Sequence, residues 1–141
     1  MILLDTDVVS GVMRPRPPEA LIAWLDSRTS SDLFLSTVTV AEIGFGLSVL
    51  PSGRRRQELT HRFEIFLERG FDQRILSFDL PSARLYAELM ARRRELGRPM
   101  SAFDGQIASI ARAHGFAIAT RNVRDFEECG LEVLNPFSEA G

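Results

Sequence analysis

Short apolar runs that alternate with segments of helical spacing constrain the fold of this chain more than any other feature. Apolar runs of strand length lie at residues 2–4, 33–36, 75–78, 116–119 and 131–134. Helical spacing occurs between them at residues 20–27, 39–50, 54–69, 81–96 and 101–114. Because parallel strands need long crossovers, usually helices, this alternation predicts an α/β fold with a mainly parallel central sheet. The length predicts a single domain over residues 1–141.

Composition and charge exclude several classes of protein. Hydrophobic residues make up 45% of the chain and charged residues 26%, as in folded globular proteins. All 17 basic residues are arginine, which excludes Walker-type ATPases and Schiff-base enzymes because both need a lysine. The net charge of −2 gives no overall basic field, so nucleic-acid binding would need local patches. Cys129 has no partner for a disulfide and no apolar run approaches about 18 residues, so we expect a cytoplasmic protein without a membrane span.

Acidic and amide side chains follow the predicted strands or open the helices beside them. These residues are Asp5, Glu42, Asp104, Asn122 and Asp125. Sites in open parallel sheets form outside the carboxyl ends of the strands, so we expect these side chains to meet in one crevice. Clustered carboxylates repel unless a cation neutralises them, and oxygen ligands favour Mg²⁺ or Mn²⁺. The pattern predicts a metal site suited to cleaving phosphate esters.

Two of these positions also have a structural interpretation. Thr39 with Glu42, and Ser101 with Asp104, have the spacing of capping boxes, which place a hydroxyl at the start of a helix and an acidic residue three positions later. Both carboxylates could therefore be ordinary caps that interact favourably with a helix dipole. The sequence leaves the two interpretations open for these positions.

The first acidic residue has the stronger functional interpretation. Asp5 directly follows three aliphatic residues of a buried strand, where a carboxylate costs free energy unless it is paired or metal-bound. Asp7 is either a further ligand or part of a turn after that strand. We expect no zinc site, because His61 and His114 match no zinc-ligand spacing.

Two runs of three arginines, at residues 54–56 and 92–94, lie in predicted helices. Such runs are usually solvated helix faces. Arginine clusters also bind phosphate in a bidentate manner, so these runs could guide a polyanion towards an acidic site.

Four ordered motifs resemble those of a known family. They read LLDTDVVS at 3–10, STVTVAE at 36–42, AFDGQIA at 102–108 and ATRN at 119–122, the last followed by Asp125 and Phe126. Together they resemble the motifs of PIN-domain ribonucleases, and most closely those of the VapC and FitB-type toxins of bacterial toxin–antitoxin modules. The resemblance covers essentially the whole chain.

The resemblance implies a three-layer α/β/α fold and a metal-dependent endoribonuclease that leaves 5′-phosphate and 3′-hydroxyl ends. Asp5 and Asp104 would be the main ligands of Mg²⁺ or Mn²⁺, with Glu42 as the third acidic ligand. Asn122 falls at the fourth catalytic position, where relatives have Asp or Asn. Asp125 would supply the remaining catalytic charge through water.

The resemblance also implies partners. The substrate would be RNA. From the arginines themselves we expect RNA contacts at Arg92, Arg93 and Arg121. A small antitoxin encoded beside the toxin would inhibit it, and the protein would form a homodimer or a larger oligomer. Contact with DNA would be indirect, through the antitoxin.

Departures from the family pattern keep two alternatives open. Relatives usually carry Asn at the position of Asp7, and many carry Glu at the position of Gly11. The neutral Asn122 is compatible with a catalytically weak PIN module that binds an antitoxin and contributes to operon repression. Asp5-Thr6-Asp7 also has the D-x-D form of haloacid-dehalogenase-like phosphatases, but that motif requires a basic residue, usually Lys, which this chain lacks.

Overall fold

The fold is given by a computed structural model that describes residues 1–138. Its five strands are β1 Ile2–Leu4, β2 Leu33–Ser36, β3 Ile75–Leu76, β4 Ala117–Ala119 and β5 Val133–Leu134. Its six α-helices are α1 Thr6–Val12, α2 Glu19–Asp26, α3 Thr37–Ser48, α4 Arg54–Ile65, α5 Leu80–Glu95 and α6 Ala102–His114. None of the helices in this part of the chain is long and apolar enough to cross a membrane.

The strands form one parallel sheet in the order β3-β2-β1-β4-β5. The central strand β1 is buried along its whole length, which explains its uninterrupted aliphatic sequence. Its side chains alternate between the two faces, so that Ile2 and Leu4 pack in one apolar cluster and Leu3 in the other. Helices α1 to α4 contribute to the first cluster, and α5 and α6, with Val38 of α3, contribute to the second. The predicted three-layer α/β/α architecture is therefore confirmed.

The sheet topology brings distant segments together beside β1. The chain order of the strands reverses there, because β2 lies on one side of β1 and β4 on the other. Such a reversal leaves a crevice at the carboxyl ends of the strands. The backbone N–H of Asp5 donates to the carbonyl of Ala119 at 2.9 Å, which fixes the residues after β1 against those after β4.

Helix α1 corrects the interpretation of Asp7 as part of a turn after the first strand. The helix begins at Thr6, and Asp5 is its N-cap. The β-branched Val8 and Val9 favour a helix only weakly, but both are fully buried in the core, and that packing outweighs their propensity.

The start of α3 is a second correction. The cap is Ser36, whose hydroxyl accepts from the backbone N–H of Thr39 at 3.1 Å, so Thr39 lies inside the helix rather than at its cap. The predicted cap at Ser101 is confirmed, since its hydroxyl accepts from the N–H of Asp104 at 3.2 Å.

The second arginine run is not a uniformly solvated face. Arg92 and Arg94 are exposed, whereas Arg93 is only 3% exposed. Its guanidinium donates to three backbone carbonyls, those of Arg98 at 2.6 Å, Asp125 at 2.9 Å and Glu127 at 2.7 Å. Arg93 therefore fastens α5 to the segment that follows β4.

Candidate active site

A cleft of about 330 Å³ lies at the carboxyl ends of β1 and β4. All nine of its lining residues carry oxygen or guanidinium groups, and they come from α1 and the residues that flank it, from α3 and α6, and from the turn after β4. They are Asp5, Thr6, Asp7, Ser10, Arg14, Glu42, Asp104, Arg121 and Asn122. The predicted site residues Asp5, Glu42, Asp104 and Asn122 are thus brought together, as the topology required.

Asp5 is the most deeply buried acidic residue of the cleft, with 4% of its surface exposed. One carboxylate oxygen accepts from the N–H of Thr6 at 2.8 Å, and the other accepts from the hydroxyl of Thr120 at 2.8 Å. Burial, together with the neighbouring charge of Asp7, nevertheless raises the pKa of Asp5 to about 7. The two hydrogen bonds do not fully compensate the desolvated charge.

Asp7 lies in the first turn of α1 and connects it to the turn after β4. Its Oδ2 accepts from the N–H of Arg121 at 3.0 Å, from Nδ2 of Asn122 at 3.2 Å, and faces the hydroxyl of Thr120 at 3.4 Å. Its Oδ1 is buried and has no hydrogen-bond partner in the described part of the chain. Burial raises the pKa of Asp7, although the N–H and the charge of Arg121 oppose the change. Asp7 is therefore a member of the cleft and not a solvent-facing turn residue.

Glu42 is oriented by a chain of hydroxyl groups. The hydroxyl of Thr6 donates to Oε1 of Glu42 at 2.8 Å and lies 3.0 Å from the hydroxyl of Thr39. Because a hydroxyl carries one hydrogen, Thr39 must be the donor to Thr6. Ser36 in turn donates to Thr39 at 3.4 Å. These linked hydroxyl groups hold the Glu42 carboxylate against α1.

Asp104 enters the cleft from the first turn of α6. It is half-buried, and burial, supported by the nearby charge of Asp125, raises the pKa of its carboxyl group. Asp125 itself is exposed, in a short 3₁₀ turn, and does not line the cleft. Asp125 therefore lies near Asp104 but outside the cleft.

The three arginines predicted to contact RNA have different environments. Arg121 lines the cleft, and its guanidinium carbon lies 4.0 Å from the centre of the Phe137 ring. Arg92 is exposed, and its guanidinium lies 3.8 Å from the Glu128 carboxylate. Arg93 is buried and its guanidinium is engaged with backbone carbonyls, so its role is structural and it does not form part of an RNA-facing surface.

Thr6, Ser10 and Arg14 also line the cleft and were not among the predicted site residues. Asp7 and Ser10 are spaced three residues apart in α1, which places their side chains on one face of the helix, whereas Arg14 lies beyond the end of α1. Recognising α1 in the sequence would have indicated Ser10 as a neighbour of Asp7, but not Arg14.

The chemistry of the donor set fits a hard divalent cation. The cleft presents oxygen donors, including the poorly compensated carboxylate of Asp5 and the unpartnered Oδ1 of Asp7. Within residues 1–138, no three acidic, histidine or cysteine side chains are arranged to enclose an ion directly. Mg²⁺ commonly binds through one or two carboxylates and keeps several of its waters. An open cleft with oxygen donors therefore suits Mg²⁺ better than a set of protein ligands that encloses the ion would.

Comparisons with known proteins agree with this architecture. A family model described as PIN domain matches residues 2–130. The VapC ribonuclease Y4jK of Sinorhizobium fredii is 42% identical over 140 residues, covering 99% of this chain and 100% of that protein. The toxin FitB of Neisseria gonorrhoeae is 40% identical over 139 residues, again covering 99% of this chain and 100% of that protein.

Solved structures give the same result. The structure of FitAB bound to an IR36 DNA fragment has a TM-score of 0.93 and 39% identity, and covers 100% of this chain and 99% of that chain. FitAcB from Neisseria gonorrhoeae has a TM-score of 0.91 and 40% identity, with coverage of 97% and 99%. The chain therefore belongs to the PIN-domain family, within the group that contains the VapC and FitB proteins.

Proposed function

We propose that this protein is an Mg²⁺- or Mn²⁺-dependent endoribonuclease that acts as the toxin of a toxin–antitoxin module. The observation that carries the proposal is the buried carboxylate of Asp5, which lies beside Asp7 in an oxygen-lined cleft and is poorly compensated by the chain itself. The relative Y4jK is named a ribonuclease, which supports the choice of RNA as substrate.

The residues of the cleft have distinct roles in this proposal. Asp5 and Asp104 hold the ion, and Glu42 is the third acidic ligand, directly or through water. An ion held there would supply Lewis-acid chemistry to the scissile phosphate and to an attacking water. Thr6 keeps the Glu42 carboxylate in place through its 2.8 Å hydrogen bond. The charge of Asp125 acts on the site through Asp104.

Asn122 contributes its amide oxygen in this arrangement. Its Nδ2 donates to Asp7, which orients the amide and makes the carbonyl oxygen the group available to a ligand. An amide oxygen can coordinate a hard cation or a bound water, although it adds no charge. Asp7 supplies a negative charge next to Asn122, so the pair together provides one charge and one neutral oxygen.

The catalytic test is cleavage of end-labelled, structured RNA by protein free of any antitoxin. We expect discrete cuts with Mg²⁺ or Mn²⁺ that disappear with a chelator and with the Asp104→Asn variant. The control is Asp72→Asn, which removes an exposed carboxylate from outside the cleft and should cut like the parent protein. Equal cleavage by Asp104→Asn and the parent would contradict the proposal.

An apolar groove next to the cleft supports a protein partner. The groove has a volume of about 480 Å³ and shares Thr6, Ser10, Arg14 and Glu42 with the cleft. Its apolar lining residues are Met13, Pro15, Ile43, Leu47 and Leu59. We propose that a small antitoxin fills this groove and blocks the acidic cleft, and that the toxin reaches DNA only through the antitoxin.

Helix α3 supports self-association. Phe45 of this helix and Val49 at its C-cap are 71% and 64% exposed and lie four residues apart, so they form an exposed apolar pair. We propose that they contribute to a homodimer or a larger oligomer. Sedimentation of the parent and of Phe45→Glu tests this role, and an unchanged mass for Phe45→Glu would contradict it.

A catalytically weak binding module is the second candidate function. It is favoured by the neutral Asn122, which adds no charge to the cleft. Intact RNA at full metal loading, together with tight antitoxin binding, would select this candidate over the nuclease.

A further inference from the structure

Arg121 has an unusual setting at the rim of the cleft. Its backbone N–H donates to Asp7 at 3.0 Å, so the residue is anchored to α1 at its main chain. Its guanidinium lies over the ring of Phe137, 4.0 Å from the ring centre. In a contact of this kind, the partial negative charge on the face of the aromatic ring attracts the cation. Both ends of Arg121 are therefore held, whereas an exposed arginine is ordinarily mobile.

Phe137 reaches this position because Gly11 leaves room for it. A Cβ atom at residue 11 would lie 3.1 Å from the Phe137 ring and 2.9 Å from the Leu21 side chain, both closer than ordinary contacts. The backbone N–H of Phe137 also donates to the side chain of Asn135 at 2.9 Å. The ring is thus seated against α1, the helix that carries Asp7.

The position of the guanidinium has a chemical consequence. Arg121 and Arg14 are the two cationic side chains among the described residues that line the cleft, whose other charged groups are carboxylates. A polyanion that approaches these carboxylates needs a fixed positive group nearby, and arginine binds phosphate with paired N–H donors. Holding the guanidinium in advance reduces the entropy lost when a phosphate binds.

We propose that Phe137 is a positioning residue that holds Arg121 as a clamp for a backbone phosphate of the RNA strand. The inference rests on the proposed RNA substrate and adds the means by which the strand is held beside the acidic cleft. Gly11 contributes to this arrangement, because its lack of a Cβ atom allows the ring of Phe137 to approach α1. Arg121 contacts the phosphate, and Phe137 acts through Arg121.

The test measures binding of a fluorescently labelled single-stranded RNA in the presence of a chelator, so that it does not depend on cleavage. Fluorescence anisotropy at several salt concentrations gives the affinity and its salt dependence. We expect Arg121→Ala to weaken binding about tenfold and to reduce the slope of log affinity against log salt by about 0.7. Phe137→Leu keeps an apolar side chain and should weaken binding about two- to fivefold.

The double variant separates positioning from simple structural support. If Phe137 acts through Arg121, Phe137→Leu should cause no further loss of affinity in an Arg121→Ala background. The matched control is Arg28→Ala, because Arg28 lies 4.8 Å from the ring centre of Trp24, outside the cleft lining. This variant loses the same kind of arginine–aromatic contact and should keep the affinity and salt slope of the parent.

The outcomes distinguish this inference from the proposed nuclease. RNA binding that depends on both residues, without any cleavage when metal is added, would support the clamp and contradict the nuclease. Parental affinity and slope in Phe137→Leu, even with a lowered melting temperature, would overturn the clamp and leave Phe137 a structural residue. Additive losses in the double variant, or no RNA binding by the parent, would also overturn it.

Discussion

Two buried charges, Asp5 and Arg93, lie in contrasting environments. They are 4% and 3% exposed, and they are the charged side chains buried within residues 1–138. Arg93 donates to the carbonyls of Arg98, Asp125 and Glu127, so that neutral dipoles of the fold surround its charge. Asp5 accepts two hydrogen bonds, but the charges of Asp7 and Asp104 both oppose its ionisation.

The charge of Arg93 stabilises the fold, whereas the charge of Asp5 destabilises it. A buried charge is stable when hydrogen-bond partners replace its lost hydration, as they do for Arg93. Asp5 is compensated incompletely, and its pKa of about 7 records the cost of ionisation. We infer that Arg93 contributes to folding, whereas Asp5 is retained for a cation that the chain itself does not provide.

The largest expected effect comes from removing the charge of Asp5. Asp5→Asn keeps the size of the side chain but removes a proposed metal ligand, so RNA cleavage should fall more than about 100-fold. Its stability should be unchanged or higher, because the repulsion by Asp7 is relieved. Cleavage assays and urea denaturation measure the two effects. Retained cleavage by Asp5→Asn, or a large loss of its stability, would contradict the proposed difference between Asp5 and Arg93.

Replacing Arg93 should have the opposite consequence. Arg93→Met retains much of the side-chain length but leaves three backbone carbonyls without their donor. The free energy of unfolding should fall by about 3–5 kcal/mol. Arg94→Met is the control, since Arg94 is exposed beside it on α5 and should change stability little. Equal urea midpoints for the two variants would contradict a structural role.

The pH dependence of stability sharpens the same contrast. Between the ordinary pKa of 3.8 and the folded-state pKa of about 7, the folded protein keeps a proton on Asp5 that the unfolded chain has lost. Stability in a chelator should therefore fall as the pH rises through this window, by about 1.4 kcal/mol for each unit of pKa shift. Thermal melts should show a shallower fall for Asp5→Asn. Parallel curves for the two proteins would refute this assignment.

A smaller effect is expected at Thr6, which orients Glu42 without carrying charge. Thr6→Val removes the hydroxyl that donates to Glu42 at 2.8 Å and should lower cleavage about tenfold. Thr6→Ser keeps the hydroxyl and should restore most of the activity. Steady-state cleavage rates at saturating metal measure both. Similar rates for Val and Ser at this position would show that the hydroxyl does not orient Glu42.

The position of Asp5, the member of the contrasting pair that lines the cleft, could be predicted from the sequence. Three aliphatic residues followed by Asp5 indicated a buried strand with a carboxylate at its end, and the structure places that carboxylate in the cleft. The alternation of strands and helices, with the rule that sites form at the carboxyl ends of parallel strands, was enough to predict that Glu42, Asp104 and Asn122 lie close together. The places of these residues in the fold depend on the direction of each strand and on the pattern of apolar residues, and both follow from the local sequence.

The structural member could not be predicted. Arg93 lies between two other arginines, and its carbonyl partners at residues 125 and 127 are more than 30 positions away. The bonds of Asp7 to Arg121 and Asn122 span a still larger separation. Helix α1 was missed because Val8 and Val9 favour a helix only weakly, and their burial in the core supplies the stability that local propensity lacks.

The central claim is that a divalent cation compensates the charge of Asp5. The most direct measurement is the shift in melting temperature on adding Mn²⁺ at pH 8, where Asp5 is mostly ionised, for the parent and Asp5→Asn. The account predicts a rise for the parent that a chelator reverses, and little or no rise for Asp5→Asn. Equal shifts in the two proteins, or no shift in the parent, would contradict it.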